Sequence, residues 1–458
     1  MAEHNVTVES TLNTLLDEKK YPTVRDILIT MNPSDVASIL DELPEERLPL
    51  LFRLLPKEQA AETFVEMEPE AQELLIRGFS DSELREVLDE LYVDDAVDIV
   101  EEMPANVVRR ILSQADPQMR KEINEILRYP ENSAGSIMTT EYVSLRPGMT
   151  VEESILRIRR TGVDKETIYT CYVTRDRTLV GLVTVKDLLL AQDDDLKIEE
   201  LMETNVISVN THTDQEDVAQ MFAKYNFLAL PVVDAESRMV GIITFDDAMD
   251  VMEDEATEDM EIMGGMTPSD KTYLRSTVFD LFKHRIPWLL LLMVSATFTG
   301  LIITNFESAL AAQVALTAFI PMLMDTGGNS GSQSSVTVIR AISLDEIEFS
   351  DLPRIVWKEI RTAVLCGATL AAACFVKIML VDRLLMRNDS ITVTVAIVVC
   401  ITMALTVLIA KIIGAVLPMC AKKIGLDPAV MASPFITTIV DALSLLIYFG
   451  VATTLLPM

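Results

Sequence analysis

The 458-residue sequence holds three histidines, two tryptophans and five cysteines, and these shortages exclude several chemistries. His4, His212 and His284 stand far apart, so imidazole catalysis and histidine metal sites have no foothold. Cys171, Cys366, Cys374, Cys400 and Cys420 form no CxxC pair, and four of them sit in apolar stretches. Neither a disulfide framework nor a zinc site is indicated. Gly327-Gly328 lacks the Gly-Lys-Ser/Thr ending of a phosphate-binding loop, and no nucleophile–base pair stands out, so an enzyme is not expected. Met1 to Leu12 is polar, without the apolar core of a secretory signal. Basic residues are also scarce: 38 Lys/Arg face 70 Asp/Glu, a formal charge of −32. Such a surface repels nucleic acid and anionic lipid and attracts cations.

The charge is unevenly placed. Residues 1–280 carry 59 of the acidic and 26 of the basic side chains, leaving 11 and 12 for residues 281–458. An acidic domain usually owes its charge to solvation, so a cation-binding role needs carboxylates at particular positions. The second part is apolar and divides into five candidate spans of ~20 residues or more. They are Ile286–Thr304, Ala309–Ile339, Thr362–Val381, Ile391–Cys420 (interrupted by Lys411) and Ala429–Leu456. Lys283, Arg285, Arg340, Arg354, Lys358, Arg361, Lys422 and Lys423 fall on the side of the acidic part. Arg383 and Arg387, offset by Asp382 and Asp389, fall on the other, so the positive-inside rule puts residues 1–280 in the cytoplasm.

Between Leu40 and Ala115 apolar residues recur every twelve positions, as Leu40, Phe52, Phe64, Ile76, Leu88, Val100 and Leu112. A second series follows three residues later: Leu43, Leu55, Met67, Phe79, Leu91, Met103 and Ala115. Pro44, Pro56, Pro69, Ser80, Pro104 and Pro117 punctuate them, which predicts short helices stacked in a superhelical scaffold. A duplication comes next. Met138-Thr139 and Met202-Glu203 open two units, and Gly181-Leu-Val-Thr-Val-Lys-Asp187 matches Gly241-Ile-Ile-Thr-Phe-Asp-Asp247. Strands are predicted at Ile168–Thr174, Leu179–Val183, Ala229–Val233 and Met239–Thr244. The two units resemble a tandem pair of cystathionine-β-synthase (CBS) domains over Ile137–Glu253. Such pairs are regulatory modules that commonly bind adenine nucleotides or metals, and a purely structural pair is the alternative.

Asp246 to Glu261 contains nine carboxylates and no basic residue. On a helix, Asp247, Asp250, Asp254, Glu258 and Glu261 share one face, where like charges repel by ~0.2–0.5 kcal/mol per pair. A hard divalent cation with oxygen ligands reverses that sign. A merely solvated acidic face competes with this reading, but the segment stands between a regulatory pair and a membrane entrance. Thr267–His284 then leads into the first span and could carry motion to it.

Two carboxylates lie within apolar spans, where a charge costs ~2.5–3.5 kcal/mol on insertion scales and marks a functional site by default. Ser433, Thr437, Asp441, Ser444 and Tyr448 form a polar stripe at helical spacing, read as a water-lined cation path in preference to an interhelical seam. Asp325 precedes Thr326-Gly-Gly-Asn-Ser-Gly-Ser-Gln333. Three glycines there predict irregular backbone whose carbonyls, with Asn329, supply neutral oxygens beside Asp441; close helix packing is the alternative.

The repeat domain, paired CBS units, acidic segment, Thr326–Gln333 and Pro434-Phe-Ile-Thr-Thr-Ile-Val-Asp441 together resemble the MgtE family of magnesium channels and transporters, across nearly the whole chain. The resemblance implies a helical repeat domain (1–130), tandem α/β CBS domains (131–253), an acidic connecting plug helix (254–284) and a five-span pore domain (285–458). It implies a homodimer in the plasma membrane with a pore between subunits. Asp441 would be the carboxylate that holds hydrated Mg²⁺, attended by Thr437, Ser433, Gly328, Asn329 and Asp325. Regulatory Mg²⁺ would bind Asp94, Asp98, Asp214, Glu216, Asp247, Asp250, Glu255, Glu258 and Asp259, with Asp427 approaching from the membrane side. ATP or another adenine nucleotide is the ligand class it attaches to the CBS pair. Three positions depart from the family pattern: Asn226, where an aspartate would pair with Asp250, and Ser332 and Ser433, where asparagines are expected. The mechanism expected is passive Mg²⁺ entry shut off by cytoplasmic Mg²⁺. Transport of Mn²⁺ or Co²⁺, cation exchange, and a CBS-based nucleotide sensor without transport are the rival functions.

Overall fold

The structure is a computed structural model describing residues 2–269, 273, 276–388 and 390–456, without the side chains of residues 2–7, 9, 164 and 433. Asp389, part of the connecting segment after Thr267 and the side chain of Ser433 therefore lie outside the described residues. The chain forms two compact units, Met1–Met252 and Glu253–Met458.

The twelve-residue period becomes helices of five to ten residues between Pro33–Glu42 and Pro117–Ile126. Proline sets their length. It occupies the first helical turn at Pro33, Pro69 and Pro117, where the missing N–H costs nothing, and the N-cap at Pro56 and Pro104. Ser80 caps with a reciprocal bond to Glu83. Every member of both apolar series is buried in, or packed against, one core that runs from Leu12 to Ile126. Within it Phe52 and Phe79 lie 5.4 Å apart and Phe52 and Phe64 6.0 Å apart, centroid to centroid.

Each CBS unit is a three-stranded sheet. The first has β1 (Tyr142–Leu145) parallel to β2 (Thr167–Arg175), which pairs antiparallel with β3 (Thr178–Thr184). The second repeats this with β4 (Val209–Asn210), β5 (Ala229–Val233) and β6 (Met239–Thr244). The four expected strands are present; β1 and β4 were not expected, being too short to show an alternation. The duplicated motif has two physical tasks. A Cβ on Gly181 would meet Glu203 O at 2.9 Å and Met202 Sδ at 2.7 Å, and one on Gly241 would meet Thr139 O at 2.6 Å and Met138 Sδ at 2.8 Å. The opening Met of each unit thus covers the glycine of the other. Thr184 and Thr244 then end their strands in caps closed by Asp187 and Asp247.

The acidic helix, Phe245–Met263, starts directly after β6, nine residues before the expected boundary at 254. In the second unit the long helices are Val278–Asn305, Ile320–Ser343, Leu352–Lys377 (continued as a π-helix to Leu385), Val393–Lys423 and Ser433–Leu455. Among the described residues four helical stretches are long and apolar enough to cross a membrane: Val278–Asn305, Phe349–Leu385, Val393–Lys423 and Pro428–Leu455. Ile320–Ser343 is not among them, so length and composition alone count one span fewer than the five expected among the described residues. The expected span Ala309–Ile339 is divided: Glu307–Ala312 and a 3₁₀ turn, Val314–Phe319, precede the Ile320 helix. Val393–Lys423 is continuous through Lys411.

Candidate functional site

The expected irregular backbone at Thr326–Gln333 is absent: the glycines lie inside a regular helix, whose carbonyls are taken up by its own ladder. Their role is close approach. A Cβ on Gly327 would lie 2.6 Å from Thr406 Cγ2 and 2.8 Å from Ser444 Oγ, one on Gly328 2.9 Å from Thr437 Cγ2, and one on Gly331 2.7 Å from Ile436 Cγ2. This packing seats Ile320–Ser343 directly against the helix that carries Asp441.

Asp441 is half-buried, and Asp325 is the neighbouring charge that acts on it. Asn329 Nδ2 donates to Asp325 Oδ1 at 3.2 Å, so the amide orients a carboxylate before it serves an ion. Thr437 Oγ1 donates to Pro434 O at 2.9 Å. The polar stripe divides below Asp441. Ser444 is buried and donates to Val440 O at 2.6 Å, and buried Tyr448 donates to Leu316 O at 3.0 Å. That half is a hydrogen-bond seam rather than a water-lined wall, and the carboxylate marks the stripe's polar limit.

The first unit gathers a second group of carboxylates. Asp94 and Asp98 occupy the helix Val93–Glu102 one turn apart, with Asp95 between them. Asp94 is 6% exposed, and its Oδ1 is buried without a hydrogen-bond partner. Burial pushes the Asp94 carboxyl well above the usual range, and Asp247, Asp95 and Glu166 push it further. Burial and then Asp247 bring Asp95 up to about 7; burial and then Asp95 and Asp247 bring Glu166 to about 8. Asp247 itself rises to about 6 by burial, held back by the Thr244 hydroxyl that donates to it at 2.5 Å. Asp98 keeps an exposed face and is pushed up by burial and then by Asp247, Asp95, Glu101 and Glu102. Glu141 accepts from the Val93 N–H at 3.2 Å, beside the group. Among the described residues no three His, Cys, Asp or Glu side chains close round a metal position, so these carboxyls face one another without forming a finished coordination shell.

Asp95, Glu141 and Glu166 were not singled out from the sequence. The Asp94-Asp95 doublet was a visible signal, whereas Glu166 arrives from a strand edge more than seventy residues away. Asp214 and Glu216 have local tasks instead: Asp214 caps the helix Gln215–Tyr225 by accepting from Glu216 N at 2.9 Å, and Glu216 accepts from Gln220 at 3.3 Å. Asn226, the departure from the family pattern, adopts φ +55° and ends that helix, a left-handed position that asparagine tolerates well. Asp250 lies three residues beyond Asp247 and adds to its repulsion.

In the second unit Glu255 is half-buried and Glu258 exposed. Asp259, half-buried, accepts from Ser343 Oγ at 3.2 Å, and its carboxyl is raised by burial and then by Asp427. Asp427 also accepts from Ala429 N at 2.7 Å. Gly265, at φ +70°, brings the chain against Pro434, where a Cβ would meet Cγ at 2.9 Å. The connector thus touches both the end of the glycine helix and the start of the Asp441 helix.

Comparison with known proteins accounts for this arrangement. Residues 320–451 match a family model described as a divalent cation transporter, residues 31–132 match the MgtE intracellular N domain, and residues 134–194 and 198–254 match CBS domains. The magnesium transporter MgtE of Thermus thermophilus is 37% identical over 97% of this chain and 98% of its own. That of Bacillus subtilis is 33% identical over 96% of this chain and 95% of its own. A solved cytosolic domain of the Mg²⁺ channel MgtE in complex with ATP is 40% identical, covers 53% of this chain and 99% of its own, and superposes with a TM-score of 0.51. The soluble part of a magnesium transporter gives 31% identity, 56% and 100% coverage, and the same TM-score. The chain belongs to the MgtE family of divalent cation transporters.

Proposed function

We infer that this protein transports Mg²⁺ across a membrane and that its cytoplasmic carboxylates sense the same ion. The observation that carries the reading is Asp441, a half-buried carboxylate in an apolar helix, set by glycine contacts against a helix bearing Asp325. The full-length Mg²⁺ transporter relatives support the choice of ion. Two carboxylates amid hydroxyls and amides suit an ion that keeps most of its water, as Mg²⁺ does. Transport is passive, through a pore made by two copies with Ile320–Ser343 as the fifth span, across the plasma membrane. Thr437, Ser433, Gly328 and Asn329 shape the path around Asp441.

The regulatory step uses carboxyls already placed to repel one another. Asp94, Asp95, Asp98, Glu166 and Asp247 in the first unit, and Asp259 with Asp427 in the second, accept Mg²⁺ in place of the protons that burial favours. The orphaned Asp94 Oδ1 and an all-oxygen donor set fit a hard divalent cation. Asp250, Glu255, Glu258, Asp214 and Glu216 complete the proposed set across the helix and the second CBS unit. Bound Mg²⁺ draws the connector onto the membrane unit and closes the path; loss of Mg²⁺ frees it. One pair contributes about 1 kcal/mol in a water-like dielectric at 4 Å, so several sites act together to supply the ~5 kcal/mol of near-complete switching. The ATP complex of the related cytosolic domain supports adenine nucleotide as a ligand of the CBS pair.

The deciding experiment is Mg²⁺ uptake into liposomes by the full-length protein and by Asp441→Asn. Uptake lost in the variant supports the pore; undiminished uptake rejects Asp441 as its carboxylate. Parallel flux with Mn²⁺ and Co²⁺ separates a Mg²⁺ path from a general divalent one.

A further inference from the structure

A buried lysine stands among the apolar helices of the second unit. Lys411 lies midway along Val393–Lys423 and is 5% exposed, the one charged side chain among the described residues of the second unit that is buried. Its Nζ donates to Ser334 Oγ at 3.3 Å, and Ser334 Oγ donates to Glu359 Oε2 at 2.7 Å. The relay therefore crosses three helices: Val393–Lys423, Ile320–Ser343 and Leu352–Lys377. An ammonium at membrane depth is costly and is retained where it has a partner and a task. Packing alone does not require it, because a methionine of similar volume would fill the same space.

The location supplies the task. Lys411 borders a cavity of about 520 Å³ whose wall also contains Asp325, Asn329, Gln333, Ser330 and Thr369. One wall thus holds the carboxylate beside Asp441 and a fixed cation that is itself tied to a second carboxylate. Two aspartates in a low dielectric would hold a divalent ion strongly, yet conduction needs an ion that enters readily and also leaves.

We propose that Lys411, anchored through Ser334 to Glu359, is a positioning residue that sets how tightly the path holds Mg²⁺. Its charge offsets the Asp325 side of the cavity, and Glu359 keeps that offset in place. Charge then dictates opposite effects from the two ends of the relay. Removing the ammonium makes the cavity more negative and the ion stickier; removing the Glu359 charge leaves the ammonium unopposed and the ion weakly held.

This rests on the pore reading above, and the test separates the two. Full-length protein in liposomes loaded with a Mg²⁺-sensitive dye is assayed for uptake against external Mg²⁺. Lys411→Met is expected to lower the half-saturating Mg²⁺ at least threefold while reducing maximal flux. Glu359→Gln is expected to raise it at least threefold. The double variant, neutral at both ends, returns to within about twofold of the parent, as does Lys411→Arg. Shifts in the same direction, or an unchanged half-saturation in both single variants, overturn the proposal. If Lys411→Met does not assemble, Glu359→Gln decides alone, and an unchanged or lowered half-saturation overturns it. Asp441→Asn in the same assay tests the pore independently: retained uptake there refutes the pore reading, whereas lost uptake with unmoved Lys411 and Glu359 variants refutes only the relay.

Discussion

Gly414 and Gly331 meet backbone to backbone: a Cβ on Gly414 would collide with the Gly331 carbonyl oxygen and lie 3.2 Å from Ser334 Cβ. The contact joins the lysine-bearing helix to the glycine helix that faces Asp441. Gly414→Ala must therefore push the two helices apart. It should lower the melting temperature in detergent, by the equivalent of about 1–3 kcal/mol, and reduce Mg²⁺ uptake. Gly300→Ala and Gly450→Ala, with nothing within 4 Å of the added methyl, serve as controls and should leave both unchanged.

The CBS exchange gives a second steric test. Gly241→Ala places a methyl 2.6 Å from the Thr139 carbonyl, which is backbone and cannot swing aside. We expect a loss of about 1–3 kcal/mol in the stability of the first unit, read by denaturant titration. Gly148→Ala, where the space is open, should cost far less.

Asp95, Asp247 and Glu166 have folded values of about 7, 6 and 8, above the ordinary carboxyl range of about 4. The folded chain therefore binds more protons than the unfolded chain between those limits, so this stability is full below about pH 4 and is lost as pH rises through 6 to 8. In Mg²⁺-free buffer the full-length protein should melt higher at pH 6 than at pH 8. Because Mg²⁺ displaces these protons, protection by Mg²⁺ should need less metal at pH 8 than at pH 6. A melting temperature independent of pH, without Mg²⁺, would contradict the grouping.

The connector is tested by protease cleavage between Thr257 and Tyr273 across Mg²⁺ concentrations. Protection should rise with Mg²⁺ in the parent, and equal cleavage throughout would overturn closure of the connector by bound Mg²⁺. Asp427→Asn keeps an oxygen for the Ala429 cap and removes the charge that acts on Asp259. In that variant uptake should no longer fall as Mg²⁺ on the cytoplasmic side is raised.

Much of this molecule was legible along the chain because the signals are local sums. Hydropathy marked five candidate spans, of which four are helices long and apolar enough to cross a membrane, a twelve-residue period marked the stacked helices, and a repeated Gly-to-Asp phrase marked two CBS units. Asp441 stood out because a carboxylate in an apolar run is costly wherever the fold puts it. The glycines were harder. Three glycines suit an irregular loop or a tight helix contact equally well, and only the partners Thr406, Thr437 and Ile436 decide for the contact. The polar stripe was likewise ambiguous until Tyr448 was found bonded to Leu316.

Sequence alone determined the architecture and marked Asp441 as a carboxylate in an apolar run, since composition and periodicity act over a few neighbouring residues; the family was legible through the motifs shared with it. Tertiary structure alone decided which charges share an environment. Asp94 meets Asp247 and Glu166, and Lys411 reaches Glu359 through Ser334, across 52 to 153 positions of chain. Burial and Coulomb interaction depend on distance in space, and packing, not order in the chain, sets that distance.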